Sequence, residues 1–353
     1  MKTMKAINLV SPKETALVTI PVPETPKDGL LLKTKCVSIC STDISYFEGY
    51  LYPSEYPIIM GHEFLGEVVE IGEDYKDNNV KIGDRIVYWG QTDFGGFAEY
   101  RTLRPIFSGQ VKKDEFWTDR YFWDDHHASA VKIPDDMDDL VAPLIEPTTA
   151  AMRAILTHPP KPGDKVLVLG TGPIGIIAGQ IIKKVFAPHS IVSMDNNPMR
   201  NEHAEKFFSE KAYLPEEITE MVENNTFDYV FDGLPTIKNV DEECDPRRIA
   251  MRKIVPRGQY LLYGASQAMQ KFDNWLMLSK GINISSAPFD VQSFPMHKTA
   301  NVIQSALQMI HSGVVDAKGL ISTVCPFEDY DRLVKIFETY RSTTQLKTVV
   351  DFR

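Results

Sequence analysis

Beyond residue 165 the chain alternates short, almost wholly apolar runs with longer amphipathic ones. Lys165, Val166, Leu167, Val168 and Leu169 have strand length, and residues 176–185 continue as an apolar helix, so a buried parallel strand feeding a helix is predicted. Further strands are predicted over residues 190–194, 229–231, 259–263 and 282–285. Strands that alternate with helices imply a doubly wound parallel sheet covered on both faces. The first 150 residues read differently. Runs such as 30–37 and 66–72 are β-like and broken by Pro, Gly and Asp, the pattern of a compact β-rich domain. At the far end, amphipathic helices are predicted over residues 299–312 and 329–341, then a last strand over 346–350.

Between the first alternating strand and its helix lie Gly170, Thr171, Gly172, Pro173, Ile174 and Gly175. Glycines in that context fit a dinucleotide pyrophosphate: the first permits a tight turn, the second lets backbone approach phosphate, and the third lets helix pack on strand. The next strand ends in Asp195, about 20 residues after Gly175, where a carboxylate reaches the adenosine ribose hydroxyls. Asn196 and Asn197 follow in place of Arg or Lys. A 2′-phosphate would meet a carboxylate with no cation to offset it, so NAD is expected rather than NADP.

At 353 residues the chain exceeds one ordinary domain and suits two. Its 43% hydrophobic and 24% charged residues exclude a largely disordered chain. A net charge of −10 argues against nucleic acid or an anionic membrane as partner. Residues 1–10 hold no apolar core long enough for a signal peptide before Pro12, Lys13 and Glu14, and the uncharged stretch 166–182 is too short to span a bilayer, so a cytoplasmic protein is expected. Four scattered cysteines, 36, 40, 244 and 325, do not make a disulfide scaffold.

One of them has company. Cys40, Ser41, Thr42 and Asp43 precede Gly61, His62 and Glu63 by about 20 residues, and Glu146 with Pro147 comes far downstream. A cysteine, a histidine and a carboxylate make a tetrahedral zinc site with one open position, the catalytic rather than the structural arrangement. Singly, each residue is more often a core or capping residue than a ligand.

Together with Gly66, Gly72, Gly83-Asp84-Arg85-Ile86-Val87, Gly95-Gly96-Phe97-Ala98-Glu99-Tyr100 and the glycine turn, these residues resemble the zinc-dependent medium-chain dehydrogenase/reductase family, in its polyol, sorbitol and sugar dehydrogenase branch. The resemblance implies a GroES-like β-rich catalytic domain over 1–155, a Rossmann NAD-binding domain over 156–295, and a completion of the catalytic domain over 296–353. It implies one catalytic zinc per chain, with Cys40, His62 and Glu146 at the ligand positions and Glu63 ligating in some members and supporting in others. Thr42 would pass a proton, Asp43 would support the ligands, and Arg200 matches a residue that covers the adenine. The implied reaction moves hydride between a secondary alcohol of a polyol, sugar or sugar derivative and NAD, the zinc acting as Lewis acid.

Three departures stand out. No cysteine occurs between Ser41 and Glu243, so a four-cysteine structural zinc lobe cannot be built. Ser45 stands where the family often has a proton-relay histidine. Residues 107–129 insert an aromatic segment with Phe116, Trp117, Tyr121, Phe122 and Trp123, read as packing over the missing lobe in preference to a lid or interface. Arg101, Arg104, Lys112, Lys113 and Arg120 could hold an anionic substrate group, although solvated surface charges are the expectation. Two competing readings are a zinc-free quinone or enone reductase of the same fold and a non-catalytic NAD-binding scaffold; neither has a use for the donor set. The edge strand 282–286, by the same resemblance, implies a homodimer, or a homotetramer if the insertion forms a second interface.

Overall fold

The computed structural model describes residues 2–53, 55–77, 79–89, 94–110, 127–237, 241–264, 269–286 and 296–353. The chain divides into two compact units, one formed by Met1–Ala150, Pro288–Ser312 and Ala317–Arg353, the other by Ala151–Ala287 and Gly313–Asp316.

The first unit is β-rich. Its larger sheet has seven strands in the order Ile321–Pro326, Lys347–Asp351, Leu30–Ser38, Glu63–Ile71, Arg85–Tyr88, His127–Lys132 and Tyr100–Ile106, and the last of these pairs back onto Leu30–Ser38. That extra pairing is possible because Leu30–Ser38 spends its two halves on different partners, residues 30–33 on Tyr100–Ile106 and 36–38 on Lys347–Asp351. The interior holds Val37, Ile39, Ile44, Phe64, Tyr88, Phe97 and Phe337, all 2% exposed or less, which removes most of their apolar area from water. Gly66 and Gly72 are forced by space: a Cβ on Gly66 would lie 2.5 Å from the Phe64 ring, and one on Gly72 would lie 2.1 Å from the Pro26 carbonyl oxygen.

The second unit is an all-parallel six-stranded sheet in the order Ala212–Tyr213, Ser190–Met194, Lys165–Leu169, Phe227–Asp232, Ile254–Leu262 and Asn283–Ser286. The order runs outward both ways from Lys165–Leu169 and Phe227–Asp232, so the topological switch point lies between them and their carboxyl ends flank the crevice where such sheets bind ligands. The helix Pro173–Val185 begins three residues earlier than its apolar run, because Gly172 takes the N-cap position and Pro173 supplies a preset φ. Ile254–Leu262 also begins earlier than predicted. Pro256, Arg257 with φ 63° and Gly258 shift its register from Phe227↔Ile254 to Tyr229↔Gln259, a bulge that breaks the alternation a sequence reading relies on. Asn283–Ser286 is the outer strand, and the helix beside it in sequence, Asn274–Lys280, leaves Trp275 75% and Leu278 70% exposed. Among the described residues no helix is long and apolar enough to cross a membrane.

Candidate functional site

Cys40 caps the short helix Ser41–Phe47 directly after Leu30–Ser38, and His62 precedes Glu63, the first residue of Glu63–Ile71. Among the described residues Cys40, His62 and Glu63 are the group whose ligand atoms all lie within 4.8 Å of one another. Asp43 fixes this meeting. Its carboxylate, fully buried, accepts the Cys40 N–H through Oδ2 and the Gly61 N–H through Oδ1, both at 2.9 Å, so one side chain ties the two ligand-bearing segments together. Gly61 has φ +88°, and a Cβ there would sit 3.0 Å from the Phe97 nitrogen. Glu146 enters from the first turn of the helix Ile145–Thr157 and is 2% exposed.

The electrostatics of the four donors differ. Lys347, itself 2% exposed, donates to both Glu63 oxygens at 2.5 Å and to the Ile39 carbonyl at 3.2 Å. Burial works against the Lys347 ammonium, but Glu63 and Cys40 outweigh it and hold the group protonated. Glu146 has no such partner: its Oε1 is buried without a hydrogen bond, as is His62 Nδ1. Burial pushes the Glu146 carboxyl up to about 8, with Glu63 and Cys40 adding to it and His62 and Lys347 opposing. Burial, with Glu63 beside it, likewise pushes the Cys40 thiol up to about 12. Buried lone pairs that converge without a proton donor are costly unless a cation supplies the missing charge. The donor set, one sulfur, one imidazole and two carboxylates, suits zinc. Proximity favours Glu63 as the acidic ligand and hydrogen bonding favours Glu146; a carboxylate already holding an ammonium through both oxygens is the weaker candidate.

Around the donors, Phe94 packs edge-on to His62 at 5.3 Å and to Tyr46 at 5.1 Å. Thr42 Oγ1 lies 3.6 Å from Cys40 Sγ. Ser45 is committed elsewhere, donating to the Ser41 carbonyl at 2.9 Å and accepting from Arg341 Nη2 at 2.9 Å.

In the other unit the glycines of the turn differ in what holds them glycine. Gly170 has φ +80°, and a Cβ on Gly175 would fall 1.8 Å from the Gly170 carbonyl oxygen. A Cβ on Gly172 would meet nothing within 4 Å, so that face of the turn and the helix N-terminus beyond it are open. Pro173 and Ile174 form the first helical turn. Asp195 closes the loop from the side: Oδ2 accepts the Thr171 N–H at 2.8 Å and Oδ1 the Asn197 N–H at 2.9 Å, which leaves a lone pair on each oxygen for a ligand. Arg200, in the helix Pro198–Phe207, keeps its Nε buried and without a partner.

Of the arginines near the insertion, Arg101 is not a solvated surface charge. Arg101 is 5% exposed, donates to the Tyr88 hydroxyl and lies over the Tyr88 ring at 4.3 Å, while Arg104 Nε donates to Asp28 Oδ1 at 2.7 Å. Arg101 faces inward because Tyr100–Ile106 belongs to the closed sheet, whereas Arg104, three residues on, is half-buried in a surface pair with Asp28. Residues 111–126 of the aromatic insertion, with Lys112, Lys113 and Arg120, lie outside the described residues. Lys347 was missed in the sequence; its signal was a lone lysine heading the apolar run Thr348, Val349, Val350.

The sequence profile of the alcohol dehydrogenase GroES-like domain matches residues 26–111. L-Threonine 3-dehydrogenase of Shewanella loihica is 32% identical over 217 residues, 59% of this chain and 62% of that protein, so the chain matches under two thirds of this relative's length. Sorbitol dehydrogenase of Halalkalibacterium halodurans is 26% identical over 343 residues, 94% of each chain. The chain is thus similar to alcohol, threonine and sorbitol dehydrogenases, over a GroES-like domain in the first case and over part or nearly all of its length in the others. An Escherichia coli alcohol dehydrogenase, solved with NADH, shares the fold with a TM-score of 0.76 at 20% identity over 100% of both chains. The GroES-like match takes in Cys40, His62 and Glu63, whereas Glu146 lies beyond it.

Replacing Asp43 by Asn tests the tie between the ligand segments. An amide offers one acceptor where two N–H groups need one each, so Asp43→Asn is expected to cost about 1–3 kcal/mol in urea denaturation and to weaken zinc retention against a chelator by about 10–100-fold. Unchanged values for both would show that the segments meet without it.

Proposed function

We propose that the protein is a zinc- and NAD-dependent oxidoreductase that interconverts a secondary alcohol of a polyol, sugar or sugar derivative and its ketone. The observation that carries the reading is the cluster Cys40, His62 and Glu63, with the buried Glu146 Oε1 and His62 Nδ1 left without hydrogen bonds, in a chain that also bears the glycine turn and Asp195. A zinc-free reductase or a scaffold has no use for such a donor set.

Cys40, His62 and Glu146 hold the metal in this reading, with Glu63 kept beside it by Lys347. Zinc there supplies Lewis-acid stabilisation of charge on a substrate oxygen, and NAD supplies the hydride acceptor. The chain's own residues do the rest. Asp43 holds the Cys40 and Gly61 backbones in register, so the ligands need no rearrangement on binding. Thr42 takes the proton of the substrate hydroxyl and passes it toward solvent, since Ser45 is tied to Ser41 and Arg341. Phe94 and Tyr46 keep water from the donors. A glutamate in place of a second thiolate makes the site harder, which suits an oxygen-rich substrate, and relatives named for threonine and sorbitol both carry secondary hydroxyls. Asp195, offering a carboxylate rather than a cation to the ribose, favours NAD, with Gly170, Gly172 and Gly175 receiving the pyrophosphate and Arg200 covering the adenine. The exposed Trp275 and Leu278 beside the edge strand Asn283–Ser286 support a homodimer closed through that edge. The chain is read as cytoplasmic.

Purified protein is expected to carry one zinc per chain and to reduce NAD with polyols or sugars, read by absorbance of the reduced cofactor. Cys40→Ser, His62→Ala and Glu146→Gln should each lower both by more than about a hundredfold, since even outer partners of a metal cost 10–100-fold; two zincs, none, or near-normal turnover in these variants contradicts the reading. The acid–base state gives a separate check on metal-free protein. Glu146 titrates near 8 when folded against an ordinary 4.5, so the native state binds the extra proton and stability falls as pH rises through that window. Thermal melts of EDTA-treated protein should show this fall between pH 5 and about 8, and Glu146→Gln should abolish it; the same slope in both proteins removes Glu146 from the account. Asp195→Ala should weaken NAD and narrow its advantage over NADP, whereas equal use of both cofactors by the unmodified protein refutes the assignment. Ile284→Lys should split the dimer in light scattering, and a stable single-chain mass before any substitution refutes the pairing.

A further inference from the structure

Arg247 is a charged side chain closed off inside the parallel-sheet unit, 1% exposed, and every one of its nitrogens donates within the protein. Nε gives to Asp232 Oδ2 at 2.7 Å, Nη1 to Gln270 Oε1 at 2.7 Å, and Nη2 to the Leu234 and Pro235 carbonyls at 3.1 and 3.4 Å. Asp232, fully buried, also accepts the Tyr260 hydroxyl at 2.9 Å and, through Oδ1, the Leu234 N–H at 2.9 Å. Gln270 Oε1 takes the Ile237 N–H at 2.9 Å. One guanidinium therefore gathers the loop 233–237, which leaves the carboxyl end of Phe227–Asp232, and Gln270, which follows the carboxyl end of Ile254–Leu262.

A buried ion pair of this kind adds little net stability, because desolvation offsets most of the Coulomb attraction, and apolar side chains would fill the same core as well. What the planar fork does supply is fixed geometry. The loop it fixes lies against the glycine turn. A Cβ on Gly170 would come 3.0 Å from Leu234 Cδ2 and 3.4 Å from the Gly233 carbonyl carbon, and the Gly233 N–H donates to the Leu169 carbonyl at 3.0 Å. Behind the loop, a Cβ on Gly264 would fall 1.8 Å from the Leu234 oxygen, so the second strand-end segment is packed onto the first with no slack.

We infer that Arg247 is a positioning residue for the dinucleotide, holding the loop 233–237 as the wall against which its nicotinamide half lies. This rests on the reading of the glycine turn as an NAD site. In a doubly wound sheet each half serves one mononucleotide, and Phe227–Asp232 begins the half that does not carry Asp195, so the clamp acts on the end of the cofactor away from the adenosine.

The test separates the two halves of the ligand. Arg247→Lys keeps the charge and loses the fork, and Gln270→Ala leaves the ion pair whole while releasing one arm of the clamp. Affinities of the full chain for ADP and for NADH are measured by calorimetry and cofactor fluorescence. Both variants are expected to bind NADH about tenfold more weakly while holding ADP within about twofold of the unmodified protein. Unmodified protein that binds neither ligand overturns the dinucleotide reading itself. Unmodified protein that binds both, with variants that keep full NADH affinity or lose ADP and NADH by the same factor, overturns the positioning role and leaves the site standing. If Arg247→Lys does not fold, Gln270→Ala decides by the same criteria.

Discussion

The β-rich unit is organised around a charge problem. Cys40, His62 and Glu63 come together with Glu146 buried and electrostatically coupled to them, and the ammonium of Lys347 is committed to one of them, Glu63. That pairing settles Glu63 and leaves Cys40 and Glu146 held protonated by burial, at about 12 and about 8. In the proposed reading a metal cation would displace those protons and balance the thiolate and carboxylate left behind. The neighbouring structure reads as support for it: Asp43 bonds both ligand segments, and Gly61 and Gly96 let their backbones come within hydrogen-bond distance, 2.8 Å from the Gly96 nitrogen to the Gly61 oxygen.

The parallel-sheet unit solves a different problem with different means. Its turn presents backbone N–H groups and empty space where an anion would sit, with the Asp195 carboxylate turned partly back onto the turn itself. Fixed dipoles bind an anionic ligand without burying a cation. Of the cations the unit does bury, Arg247 is spent on loop carbonyls, on Gln270 and on Asp232.

Much of this was legible in the sequence because it depends on local pattern. The strand and helix around Gly170–Gly175 carry their own periodicity, and the strands Lys165–Leu169 and Ser190–Met194 fall where the apolar runs place them. The strand Ile254–Leu262 was half hidden, since Pro256 and Gly258 interrupt the alternation at a bulge. Long-range polar contacts left no local trace. Lys347 meets Glu63 across 284 positions, and Arg101 reads as a surface charge until the closed sheet turns it over the Tyr88 ring. The choice between Glu63 and Glu146 turns on which carboxylate finds an ammonium, and spacing carries no information about that.

X-ray absorption at the zinc edge of the metal-loaded protein tests the central claim most directly. The account predicts one sulfur at about 2.3 Å and the remaining donors as nitrogen or oxygen at about 2.0–2.2 Å, with the sulfur lost in Cys40→Ser and one oxygen altered in Glu146→Gln. A zinc with no sulfur neighbour, with several, or with a spectrum indifferent to both substitutions would contradict it.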